Sequence, residues 1–303
     1  MGPALSSASD RRRRRIPRLA AILIVALAIS LLLAPAALAN FITPKSGGSP
    51  NADSISSLYK IILYLAIVVF VIVEGALVYS IYKFRAKKSK VAAQIHGNTR
   101  LEIGWTVAAA LVLVIITVVT FVKLPSIIDP PNTSPNGLLS ASLSRPSPPN
   151  GKNVTICVQG RQFIWRYVYG AQCANNAFNQ KLPYSYQEMY APANTTVVLV
   201  IQSTDVIHSW WIPSLGGKVD AVPGYTTYTW FKSPKNALYH GQCAQLCGRN
   251  HAAMTALVNV MDPAAYQARL QQLSSQISRQ NAQVTLLRHI LQQSGNLVPS
   301  ANP

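Results

Sequence analysis

Acidic residues are scarce in this chain. Its 303 residues hold 9 Asp and Glu against 27 Lys and Arg, and charged side chains of both signs make up only 12%. That is far below the roughly one quarter usual in soluble globular proteins, which argues against a freely soluble enzyme. Between Gly151 and Asp262 the acids are Glu188, Asp205, Asp220 and Asp262, too few to form an acidic face that would steer a basic partner. Cysteine is sparse as well. Four thiols in a chain of this length exclude a small disulfide-stapled scaffold. No Cys-x-x-Cys-His run occurs, which excludes a haem attached covalently to this chain.

What the chain does have is apolar sequence, half of it hydrophobic and gathered into blocks. The first block follows Arg11 to Arg15 and Arg18: an apolar stretch from Leu19 to Leu33 leads to Ala37, Leu38 and Ala39. A basic start, an apolar middle and a small-residue end read as a secretory signal over residues 1–39, cleaved before Asn40. An uncleaved first transmembrane helix is the alternative, since Leu19 to Ala39 is just long enough to span a bilayer. After an extracytoplasmic segment, 40–57, come Tyr59 to Tyr82 and Trp105 to Lys123, each with about twenty predominantly apolar residues, enough to cross a hydrocarbon core. They make residues 58–124 a transmembrane helical hairpin. Lys83, Arg85, Lys87, Lys88, Lys90 and Arg100 fall in or at the ends of the connecting loop, 83–100, which the positive-inside rule makes cytoplasmic. Everything after Lys123 then lies on the outer side of the membrane, with or without signal cleavage. Much of the net charge of +18 sits in the Arg11 to Arg18 cluster and this loop, so topology accounts for it and no nucleic-acid partner is implied.

Residues 125–150 repeat Pro, Ser and Asn without periodicity and read as a linker. From 151 to 262, short apolar and aromatic runs such as TTVVLVIQS and YTTYTWFKS alternate with Gly, Pro and Asn turn signals, the pattern of an all-β sandwich. In the tail, 263–303, Leu270, Leu273, Ile277, Val284, Leu287 and Leu291 repeat at heptad-like spacing. That spacing predicts an amphipathic helix from Pro263 to about Gln293, suited to packing on a neighbouring subunit or to self-association.

The chemistry concentrates in Gly241 to Met254, GQCAQLCGRNHAAM. Cys243, Cys247, His251 and Met254 supply two thiols, an imidazole and a thioether. This is the ligand set of a copper electron-transfer site, because soft sulfur suits copper and a weak axial Met tunes its potential. A mononuclear centre needs one thiolate, whereas two thiolates four residues apart can bridge a pair of copper ions that share one unpaired electron. Two other readings stand beside this one. The four residues fall on one face of a helix and would then be buried packing, although Gly241 and Gly248 suit a tight metal-binding loop better than a helix. The two cysteines would instead form a disulfide in an oxidising compartment. His208, ending the strand-like run VVLVIQSTDVIHSW, offers a second imidazole from a separate loop.

The order HSW, SLG, K-x-D-A-V-P-G, then G-Q-C-x-x-x-C-G-x-N-H-x-x-M resembles subunit II of the bacterial haem-copper cytochrome c oxidases, the subunit that carries the dinuclear CuA centre. GRQFIWRYVYG resembles the aromatic segment of that family, and NTRLEIGWT the start of its second membrane helix. The resemblance runs from about Leu58 to about Asp262. It implies a cupredoxin-like sandwich behind the two-helix hairpin, in a bacterial plasma membrane. It also implies two copper ions bridged by Cys243 and Cys247, one completed by His208 and Met254, the other by His251 and the backbone carbonyl of Gln245. Oxidase subunits I and III and the membrane lipid are the implied neighbours, with haem only in subunit I. Electrons from a cytochrome c would pass through the copper to that haem, where oxygen is reduced to water and protons are pumped. A quinol-oxidase subunit II would lack the copper ligands, a thioredoxin-like copper chaperone would place its cysteine pair early in an α/β domain, and a receptor-like ectodomain would hold disulfides only.

The chain departs from the family pattern at two places. Gln245 stands where the family usually has Glu; it keeps the carbonyl but removes a carboxylate that reaches a magnesium or manganese site, which weakens the case for that site. Phe163 stands where the first tryptophan of the family's Q-W-x-W receives electrons, with Trp165 following. Together with the scarcity of acids, this points to a cytochrome donor that is membrane-held or bound in a supercomplex. The resemblance makes Glu102 the mouth of a proton-uptake path in subunit I; a helix N-terminal acid stabilised by the dipole is the alternative. Asp220, in the K-x-D-A-V-P-G run, would sit behind the ligands or at a subunit interface. Cys157 and Cys173 flank the aromatic segment outside the copper motif and read as a structural disulfide. Glu74, a carboxyl within the first apolar span, should face protein rather than lipid.

Overall fold

The computed structural model describes residues 43–85, 94, 97–130, 153–170, 173 and 182–294. The proposed signal, most of the loop 83–100 and most of the linker 125–150 lie outside the described residues.

Two long helices come first, α1 (Pro50–Lys83) and α2 (Thr99–Ile128), of 34 and 30 residues. At 1.5 Å per residue they run about 51 and 45 Å, longer than a hydrocarbon core of about 30 Å. Both are long and apolar enough to cross a membrane, and side chains such as Phe70, Ile72, Leu113 and Val122 are exposed along them. Helix α1 begins ahead of its apolar block because Pro50 costs nothing in a first turn, where its missing N–H has no partner to lose. Helix α2 is capped reciprocally: the Asn98 side chain accepts from Leu101 N (3.2 Å), and Glu102 Oε1 accepts from Asn98 N (3.2 Å). The start of α1 and the end of α2 are tied to the domain that follows. Asn51 Nδ2 donates to Trp230 O (2.8 Å), Lys232 N to Ser49 Oγ (3.0 Å), and Trp230 Nε1 to Ile127 O (3.2 Å).

The domain is a sandwich of two five-stranded sheets. In chain order its strands are β1 (Asn153–Arg161), β2 (Ile164–Tyr169), β3 (Tyr184–Tyr186), β4 (Glu188–Pro192), β5 (Thr196–Ser203), β6 (His208–Trp211), β7 (Val219–Ala221), β8 (Thr227–Phe231), β9 (Ala237–Cys243) and β10 (Thr255–Met261). One sheet has the order β3-β2-β1-β5-β8, the other β4-β10-β9-β6-β7. The pairs β1 with β5 and β4 with β10 are parallel. Between the sheets lies a core that includes Ile156, Val158, Trp165, Tyr167, Leu199, Met189 and Val258, all with no exposed surface.

The runs TICV and VVLVI lack clean alternation because β1 and β5 are buried on both faces. Their outer residues Cys157 and Val200 join Val168 and Cys173 in a second cluster, covered by Leu182, Tyr184 and Tyr228. Cys157 and Cys173 are bonded to each other there.

The tail forms α3 (Pro263–Gln293). Its apolar stripe divides in two. Tyr266, Leu273 and Ile277 are buried and Leu270 packs beside them, with Tyr266 edge-on to Tyr169 and Arg269 donating to Tyr190 Oη (2.7 Å). The expected neighbour for this half is thus corrected: the stripe covers the chain's own sandwich, because Tyr169 and Tyr190 present an aromatic face that needs covering. Val284, Leu286, Leu287 and Ile290 in the second half are exposed.

Candidate metal centre

Three segments meet at one end of the sandwich. Strand β9 delivers Cys243 as its last residue, and a loop then carries Gln245 and Cys247. A short 3-10 turn, His251–Ala253, follows before β10 starts after Met254. The motif is therefore strand, loop, turn and strand, which overturns the helix-face reading. Gly241 lies in β9 and not in the loop: a side chain there would collide with the Trp211 carbonyl at the end of β6 and with Ile212 just beyond it. Gly248 is the loop glycine. Its φ of +134° suits residues without a Cβ, and a Cβ would stand 3.0 Å from the Phe163 ring and from Gln162 Nε2.

All the predicted ligand atoms converge here. Cys243 Sγ lies 4.0 Å from Cys247 Sγ, 3.9 Å from His208 Nδ1 and 3.3 Å from the Gln245 carbonyl. Cys247 Sγ lies 3.6 Å from His251 Nδ1 and 4.0 Å from Met254 Sδ. Both cysteines are free thiols and buried, so the disulfide reading of this pair is also overturned. His208, Cys243, Cys247 and Met254 are shielded from solvent, while Gln245 is exposed. Among the described residues, His208, Cys243 and Cys247 form a group of buried ligand atoms close enough to share a metal ion.

Electrostatics divides the two thiols. Burial pushes the Cys243 thiol up, but hydrogen bonding with His208 and the backbone at Ser209 and Gln245 outweighs it and lowers the group to about 6. Burial and the neighbouring Cys243 charge raise Cys247 to about 11. Without metal the pair thus favours one thiolate beside one thiol, since two adjacent buried anions repel.

Sequence reasoning missed Asp205 as part of this site. Its Oδ1 sits 2.9 Å from His208 Nε2, leaving Nδ1 aimed at the sulfurs. Asp205 also accepts from Gln162 N (2.7 Å) and Val206 N (2.7 Å). Burial raises its carboxyl, and these hydrogen bonds lower it by more. Burial likewise depresses His208, but its bonds to Cys243 and Asp205 raise it overall. Gln162 does a second job: its Nε2 donates to the Cys247 carbonyl (2.7 Å). The signal for Asp205 was its place in a short turn three residues before the histidine, where Asp readily bonds local backbone.

The other predicted residues fall into distinct places. Trp165 has no exposed surface and meets the His208 ring edge-on at 5.9 Å, so it is internal and cannot itself contact a donor. Gly160 makes room for this pair, since a Cβ there would stand 3.0 Å from His208 Cδ2. Phe163 is half-buried against the loop at Gly248. Asp220 Oδ1 accepts from Ser209 Oγ (2.8 Å) and Lys218 Nζ (2.8 Å), bracing the residue after His208. Glu102 lies at the far end of α2 and takes no part in this cluster.

The family model for the transmembrane domain of cytochrome c oxidase subunit II matches residues 37–122, and that for its periplasmic domain matches residues 175–261. The chain belongs to the cytochrome c oxidase subunit II family. Strands β1 and β2 fall outside both matches. The chain is 30% identical to cytochrome c oxidase subunit 2 of Cereibacter sphaeroides over 76% of its own length and 81% of that protein. It is 32% identical to cytochrome c oxidase subunit 2 of Alkalihalophilus pseudofirmus, over 71% of this chain but only 58% of that relative. The periplasmic domain of subunit II of the Bradyrhizobium japonicum cytochrome oxidase is 26% identical, covering 42% of this chain and 96% of that one at a TM-score of 0.37. As a subunit II, the chain combines a two-helix hairpin, a cupredoxin-like sandwich and a C-terminal helix. The two-sheet architecture also rules out the α/β metallochaperone alternative.

Proposed function

We propose that this chain is the electron-accepting subunit of a proton-pumping cytochrome c oxidase in a bacterial plasma membrane, with the sandwich on the outer side. The observation that carries the reading is the convergence of His208, Cys243, Cys247, His251, Met254 and the Gln245 carbonyl at one end of the sandwich. This donor set of two thiolates, two imidazoles, a thioether and a carbonyl fits a pair of copper ions. His208 and Met254 would hold one ion, His251 and the Gln245 carbonyl the other. When bound, the pair would take up and release single electrons, received from a cytochrome c and destined for haem in subunit I.

The chain's own contribution is a fixed cage. Cys243 ends β9 and Met254 immediately precedes β10, and Asp205 fixes the His208 tautomer so that Nδ1 is left for metal. Burial keeps water from the sulfurs. A site braced in this way changes geometry little between oxidation states. Phe163, packed on Gly248, stands where electrons would enter, with Trp165 behind His208. Subunits I and III would contact the hairpin, and the donor would be membrane-held or bound in a supercomplex. Glu102, at the inner end of α2, would combine its capping bond with a place at the mouth of a proton path in subunit I. We assign Gln245 no magnesium or manganese role, since it offers that site no carboxylate.

Metal analysis of the purified full chain tests the reading. Two coppers per chain and a paramagnetic signal from one electron shared by two copper nuclei are expected. One copper, or none with Cys243 and Cys247 joined to each other, refutes it.

A further inference from the structure

We propose that the copper end of the sandwich docks an electron-donor protein whose own contact surface is apolar at the centre and acidic at the rim. The inference rests on the reading of the chain as an electron acceptor, and it adds the location and chemistry of the partner surface.

Three short segments form this end: the turn 161–164, the loop 204–207 and the copper loop 244–250. They are one piece, because Gln162 bonds both Asp205 and Cys247 while Phe163 lies on Gly248. Each exposes apolar surface to solvent. Ile164 and Val206 are 37% exposed, Ile207 46% and Leu246 77%. Single exposed hydrophobes are ordinary, but four on adjoining loops over a buried sulfur cluster have the make-up of a contact patch.

The exposed charge around the patch is mainly positive. Arg161 and Arg249 are exposed beside it. A cavity of about 740 Å³ opens next to the turn, lined by Arg161, Arg166, Gln162, Ile164, Tyr186 and Asn281 among others. Asp205 is the one carboxylate on these segments; its side chain is 27% exposed, and both its oxygens are engaged, Oδ1 by His208, Val206 N and Ser203 Oγ, Oδ2 by Gln162 N. An apolar centre flanked by the two exposed guanidinium groups of Arg161 and Arg249 complements a partner that brings carboxylates, and it disfavours one ringed by lysines.

The test uses the assembled oxidase with an acidic and a basic c-type cytochrome as alternative donors. Second-order rates of donor oxidation are measured against ionic strength for the wild type, Arg161→Glu and Arg249→Glu. Arg161→Glu is the primary variant because it lies outside the metal loop. Copper content is measured in every preparation, which tells a damaged centre from a lost contact. The acidic donor should react faster at low salt and slow as salt is added. Arg161→Glu should cut its low-salt rate on the order of tenfold and flatten the salt dependence. Normal copper with rates for the acidic donor that ignore Arg161→Glu and salt would overturn the docking surface alone. A faster basic donor that slows steeply with salt would overturn it too. A wild-type complex without copper in this subunit would instead refute the electron-acceptor reading on which the proposal stands.

Discussion

Replacing Asp205 by Ala should weaken copper binding without unfolding the sandwich. The carboxylate has four partners of unequal importance, the longest contact being Ser203 Oγ to Oδ1 at 3.4 Å. His208 Nε2 is on a fully buried side chain, and Asp205 Oδ1 is its acceptor at 2.9 Å. Gln162 N and Val206 N lie on exposed residues, where water can replace a lost acceptor. The cost therefore falls mainly on the imidazole. A buried donor left without a partner costs about 1–3 kcal/mol, which matches the roughly 10- to 100-fold loss of metal affinity usual when a group behind a ligand is removed. Asp205→Asn should fall between wild type and Ala, since it keeps an oxygen for His208 but can turn an amide N–H toward Gln162 N. Competition for copper with a chelator of known affinity, in the detergent-solubilised full chain, gives the affinity, and thermal unfolding of the metal-free chain gives the control. Unchanged copper affinity in Asp205→Ala would refute the argument. So would an affinity loss matched by an equal loss of stability in the metal-free protein.

The remaining expectations concern the cage and its supports. Cys243→Ser and Cys247→Ser should each abolish the dinuclear spectrum, whereas Met254→Leu should retain copper and shift its reduction potential, because a thioether is a weak ligand; spectroscopy and redox titration separate the cases. Gln245→Ala should keep the spectrum, and loss of copper at normal fold stability would show that the side chain takes part. Gly248→Ala should destabilise the copper loop by about 1–3 kcal/mol, the usual cost of forcing a side chain into a sparsely populated backbone region, seen as faster loss of copper to a chelator. Removing the disulfide by Cys157→Ser with Cys173→Ser should cost about 3 kcal/mol, from a separation of 16 residues, and should lower the unfolding midpoint while leaving the copper spectrum intact.

The side chains that converge at the end of the sandwich were legible in the sequence because four of them are local. Cys243, Cys247, His251 and Met254 sit within one short run, and the run of types alone limits the metal. His208 was legible only through the order of motifs around it. Asp205 was not, because its part depends on β5 and β6 folding back at a turn that also meets the β1–β2 turn, 43 residues away from it in the chain. Trp165 was ambiguous for a similar reason: an aromatic residue in a strand serves the core or the surface, and only the pairing of sheets decides which. The tail stripe was plain in its spacing, but spacing says nothing of what covers it. Gly241 misled, since a glycine beside a metal loop and a glycine between two closely spaced strands look the same in sequence.

The two bonds of Gln162 make the wall of the metal cage continuous with the turn that faces outward. Transplantation shows what this entails. Moving Cys243 to Met254 alone into another sandwich would carry over the sulfurs and one imidazole, but neither the amide that braces Cys247 nor the carboxylate that turns His208. A working graft needs the β1–β2 turn and the segment before His208 as well. The unit that can be inherited or engineered as a whole is thus a set of interlocked corners, drawn from distant stretches of chain, rather than the cysteine motif by which it is recognised.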